Sequence, residues 1–123
     1  MADDARTYLQ QRFTQDAQQL RERVAQLRAG HSMPGPDAPT SEAMASACDT
    51  VVAMLDARPV HDDVELLIRD LLALVPVLER HAQNAKQPPV RAVFTGAATR
   101  VREVTSAEQK ALQADDAEEN DTP

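Results

Sequence analysis

The stretch Val60–Ala82, VHDDVELLIRDLLALVPVLERHA, is the longest apolar block in the chain, and its periodicity decides the fold class. Val64, Leu67, Ile68, Leu71, Leu74, Val75 and Leu78 recur at three- and four-residue steps, the spacing of one face of an α-helix. Leu66, Leu72 and Val77 add a second apolar flank, which predicts a central helix with neighbours on more than one side. Asp62, followed three residues later by Glu65, reads as its cap, with acidic groups at the positive end of the helix dipole. Pro76 removes the hydrogen bond to Leu72, which costs about 3 kcal/mol in a helix interior. The apolar seam nevertheless stays in phase through it, so a Pro-kinked continuous helix is expected; the alternative is a break near Val75 with Pro76 opening a new helix.

Outward from this block the same logic repeats. Residues Asp3 to Ala29 read as a long amphipathic helix whose seam is Leu9, Phe13, Ala17, Leu20, Val24 and Leu27, with Gly30 placed to end it. The segment 30–40, rich in proline and glycine, reads as a hinge, with Thr40 as the cap of a second helix over Ser41 to Ala57. Met44, Ala47, Cys48, Val51, Met54 and Leu55 form its apolar face, and Arg58-Pro59 stops it. A fourth helix is expected from about Pro89 to Leu112, with Val90, Phe94, Ala97, Val101 and Val104 inward and small residues at Gly96 to Ala98. The expected architecture is all-α: an antiparallel four-helix bundle over 1–112 with long first and last helices. Residues 113–123, QADDAEENDTP, have almost nothing to bury and read as a disordered acidic tail.

Composition narrows the partner classes. The chain has 123 residues and a net charge of −7, which disfavours nucleic acid, although five acidic side chains fall within Asp115 to Asp121 and the chain before them carries only −2. A third reading, a helix-turn-helix regulator, therefore ranks last. The single Cys48 excludes an internal disulfide and points to a reducing cytoplasmic compartment. No secretory signal is read at MADDARTYL, and no apolar run reaches membrane-span length.

Chemistry-bearing residues are few. His61, Asp62, Asp63 and Glu65 combine imidazole and carboxylate, but acids gather at helix starts for structural reasons and no metal-ligand spacing accompanies them. No metal or other cofactor is expected. His31 lies in the hinge, His81 near a helix end, and Cys48 on an apolar face with no adjacent activating motif. Arg91, Arg100 and Arg102 are candidates for receiving a phosphate or carboxylate, because a guanidinium fork binds such anions at two points. Phe13, Leu20, Val24 and Leu27 are candidates for an interaction surface, since a narrow helical seam beside a hinge can pair with a protein partner or a second copy.

The hexapeptide Leu74-Val75-Pro76-Val77-Leu78-Glu79, followed by Arg91-Ala92 and the small-residue, Arg-bearing segment Gly96 to Arg102, resembles a family of short actinobacterial proteins of unknown function, some described as natural product biosynthesis proteins. Val93 stands where that pattern has Cys, and Pro88-Pro89 where it has acidic residues. The resemblance implies a helical fold and a genomic neighbourhood, and it carries no catalytic residue. Two functional expectations follow: a non-catalytic cytoplasmic bundle acting through protein contacts, as regulator, adaptor or self-associating module; or an accessory protein of natural product biosynthesis that binds or turns over a small molecule between its helices.

Overall fold

A computed structural model describes residues 4–120 of the chain, with side chains described through Ala114. Among the described residues it contains four helices and no strand: α1 (Asp4–Arg28), α2 (Ala38–Asp56), α3 (Val64–Asn84) and α4 (Pro88–Asn120). The helices pack into an all-α four-helix bundle.

Each helix end has a local chemical cause. After α1, the His31 N–H donates to the Gln26 carbonyl at 3.1 Å and the Gly30 N–H to Leu27 at 3.1 Å, with Gly30 at φ +95°. That pair of bonds is the Schellman closure, and it needs a residue that tolerates positive φ. Helix α2 starts three residues earlier than its sequence indicated. Asp37, not Thr40, is the cap, its carboxylate accepting from the Thr40 N–H at 2.9 Å, and those Thr40 bonds hold the Asp37 carboxyl below its usual range. Pro39 is tolerated there because a first-turn residue has no intrahelical N–H bond to lose. In α3 the cap is Asp63 in place of Asp62, accepting from the Glu65 N–H at 2.8 Å.

Helix α3 passes unbroken through Pro76, which rules out two separate helices. Pro76 and Leu72 both lie on the exposed side, where water can satisfy the carbonyl that Pro76 leaves without a donor. The buried face is Leu67, Ile68, Leu71, Leu74, Val75, Leu78 and Ala82. The second flank corrects the sequence reading: Leu66 is 45% and Leu72 38% exposed, so α3 is covered on one side only.

The helix that packs against all three others is α4: it lies along α3 and also meets α2 and α1, while α3 meets α1 and α2 only sparingly. Its contact face is Phe94, Ala97, Ala98 and Val101, and two adjacent alanines let other backbones approach. Thr105, 1% exposed, donates its hydroxyl to the Val101 carbonyl at 2.8 Å and so stays satisfied inside the core. Helix α4 continues past the expected end near Leu112 to Asn120, through a run of Ala, Gln, Glu and Asp in which Ala, Gln and Glu are strong helix formers. Residues 121–123 of the predicted tail lie outside the described residues.

Contacts along α1 and α2 descend one helix as they ascend the other. Arg28 pairs with Glu42 at 2.8 Å, Arg21 with Asp49, and Gln10 with Asp56, while Arg6 donates to the Arg58 carbonyl at 3.0 Å. The α1 seam is therefore largely used inside the chain: Leu9 is 0%, Phe13 4%, Ala17 2% and Val24 6% exposed.

Candidate functional site

Between α1, α2 and α4 the bundle leaves a cleft of about 540 Å³. Phe13 and Leu20 of α1, Met44 and Cys48 of α2, and Val93 of α4 supply apolar walls, and Met33 reaches it from the α1–α2 loop. Gly96 supplies the gap: an added Cβ there meets no atom within 4 Å outside its own helical turn, so the absent side chain leaves open space on that wall. Two thioethers give the cleft walls that adapt to irregular shapes.

The loop that delivers Met33 is held mainly by Arg23, with the Ser41 hydroxyl adding a longer bond to the Pro36 carbonyl at 3.5 Å. Arg23 donates from Nε to the Pro36 carbonyl at 3.0 Å, and from Nη2 to Pro36 and Pro34, each at 2.8 Å. Gly35, at φ +107°, lies beneath this guanidinium, and a Cβ on it would stand 3.3 Å from Arg23 Nη2. The segment read as a hinge is thus a fastened strap, and Asp37 caps α2 where it ends.

Three charged side chains line the cleft: Asp16, Arg23 and Arg100. Asp16 is engaged by Arg12, with Arg12 Nε 3.6 Å from Oδ1, and Arg23 is engaged by the loop. Arg100, half-buried, has no hydrogen bond or ion pair among the described residues. Cys48 is 2% exposed, and burial, with Asp16 and Asp49 nearby, pushes its thiol up to about 11. It is therefore protonated near neutrality and serves as an apolar wall.

The other residues singled out in the sequence lie elsewhere. Arg91 and Arg102 are about three helical turns apart and share a face of α4, whereas Arg100 is about two and a half turns from Arg91 and falls on the opposite side. The three do not converge. Arg91 donates to the Ala85 carbonyl at 3.1 Å, Arg102 pairs with Glu79, and both line a separate depression of about 510 Å³ against α3. Of the four interaction-surface residues, Phe13 and Val24 are buried within the chain, while Leu20 and Leu27 are half-buried.

His61 does not join Asp62 and Glu65. Its Nε2 lies 3.2 Å from Asp70, which also accepts from Arg58 at 3.0 Å, so imidazole and guanidinium together brace the α2–α3 connection. His81 stacks on Phe94 with ring centroids 5.1 Å apart, and His31 is exposed in the strap. No group of three or more His, Cys, Asp or Glu side chains arranged to hold a metal occurs among the described residues.

Met33 is the lining residue that the sequence concealed. It lies in a Pro-Gly segment without periodicity, fixed by the Arg23 bonds and the two helix caps that flank it. No helix among the described residues is long and apolar enough to cross a membrane. No family model, no curated protein and no solved structure matches the chain.

Proposed function

We propose that this protein binds a small, largely apolar molecule in the cleft between α1, α2 and α4. The observation that carries the reading is the cleft itself: about 540 Å³, apolar-walled and open at Gly96, within the roughly 300–1,000 Å³ range of small-molecule sites. Burial of Phe13 and Val24 within the chain favours this role over docking through the α1 seam. A binding rather than catalytic role is supported by the protonated thiol of Cys48 and by His61 being engaged at a loop brace away from the cleft. Such a protein fits the second expectation above, an accessory protein of natural product biosynthesis, and the lone cysteine supports a cytoplasmic setting.

The test uses Nile red, a neutral apolar dye. Its fluorescence should rise on addition of the wild-type protein and fall well below that level with Gly96→Leu, whose side chain intrudes on the cleft, at an unchanged or higher unfolding midpoint. Equal enhancement by both proteins would refute the site. A second reading, docking of a protein partner or second copy, draws on Leu66 and Leu72 exposed along the outer side of α3. Self-association seen by light scattering and abolished by Leu66→Glu with Leu72→Glu would favour it.

A further inference from the structure

Resting on the binding reading above, we infer that the occupant of the cleft is an organic anion, its apolar body against Met33, Met44 and Leu20 and its acidic head on the Arg100 guanidinium. The three charged groups that line the cleft differ in what they have left to offer. Asp16 faces Arg12 on its own helix, and Arg23 holds the carbonyls of the strap. Arg100 has no partner among the described residues, yet it is half-buried in the cleft lining. Arg69 and Arg80 form no ion pair either, but they are exposed on α3 and solvated.

A guanidinium keeps its charge at all working pH values, so partial burial without a counter-charge is unfavourable, and an incoming anion relieves it. Position agrees with charge. Arg100 is one helical turn beyond Gly96, so the fork lies beside the opening that the glycine leaves. Two cationic groups against one engaged carboxylate bias the cleft toward a negative occupant. Carboxylate, sulfonate and phosphate monoester heads share this chemistry. Their common requirement is an apolar body joined to one acidic end.

Octanoate and 1-octanol, equal in chain length and differing in charge, separate the two claims when titrated calorimetrically into the full chain. Octanoate should bind the wild type roughly tenfold more tightly than octanol, the order expected for one charge-assisted contact. Arg100→Gln should remove that preference, while Arg100→Lys keeps part of it. Raising the salt to 0.5 M should weaken octanoate and not octanol. If neither compound binds, the cleft reading itself falls, and this inference with it. If both bind equally, or the preference survives in Arg100→Gln, the anion inference alone is overturned. Should Arg100→Gln fail to fold, the wild-type preference and its salt dependence decide. Wild-type dimers that dissociate on Gly96→Leu would place a second copy in the cleft and overturn the inference.

Discussion

Replacing Gly96 by alanine tests the cleft without any ligand. Glycine inside a helix is less favourable than alanine by about 0.8–1.0 kcal/mol, because the unfolded chain is freer and the helix gains no side-chain cover. Normally such a change near packed neighbours introduces a clash that cancels the gain. Here the new Cβ meets nothing within 4 Å beyond its own turn, so the propensity gain should survive nearly whole. With an unfolding entropy of about 2.1 cal/mol/K per residue, a domain of this length should melt about 2–4 °C higher for roughly 0.5–1 kcal/mol. Thermal melts followed by circular dichroism at 222 nm, with urea unfolding to confirm an unchanged m-value, supply the measurement. A melting point lowered by 2 °C or more would mean that the alanine methyl group strikes a neighbour. The open space on which the proposed site depends would then not exist.

Three further outcomes follow from the same structure. Gly35→Ala should destabilise by about 1–2 kcal/mol, since a positive φ is costly with a side chain and the Cβ presses on Arg23, itself engaged with the strap; an unchanged urea midpoint would show that the strap is not fastened as described. Leu71→Ala should cost about 2–5 kcal/mol and Leu72→Ala less than about 1 kcal/mol, because Leu71 is 1% and Leu72 38% exposed; similar costs would contradict the one-sided burial of α3. Cys48 should react slowly with iodoacetamide at pH 8 unless the protein is unfolded by urea. Its folded thiol lies at about 11 and an ordinary one at 9.0, so its contribution to stability is complete below pH 9 and is lost as pH rises through 11; urea midpoints flat from pH 8 to 11 would refute this.

Helical periodicity was legible because burial acts on every third and fourth residue, and the buried stripe Leu67, Ile68, Leu71, Leu74, Val75 and Leu78 is the one that the spacing marked. What spacing cannot supply is which apolar flank finds a neighbour. Leu66 and Leu72 are as greasy as Leu67 and Leu71, and only the position of α4 leaves them outside. The helix starts differ from the sequence reading by one residue at Asp63 and by three at Asp37, because more than one capping residue stands within a few positions and loop geometry chooses among them.

The site was legible only in fragments. Phe13, Leu20, Cys48 and Arg100 were each visible as side chains of interest, but not as one lining. Arg91, Arg100 and Arg102 look like a cluster along the sequence and are split by helical rotation, which leaves Arg100 alone on the cleft side. Met33 is brought in by a loop whose shape is set by carbonyl acceptors on Arg23, a long-range arrangement with no signature in the local sequence.

The most direct test of the binding claim is methyl NMR of protein labelled with [13C-methyl]methionine and titrated with octanoate. Met33 and Met44 line the cleft, whereas Met54 packs against the core and does not. The account predicts saturable shifts at Met33 and Met44 with Met54 unmoved, and their suppression in Gly96→Leu. Unperturbed Met33 and Met44 resonances, or shifts of equal size at Met54, would contradict it.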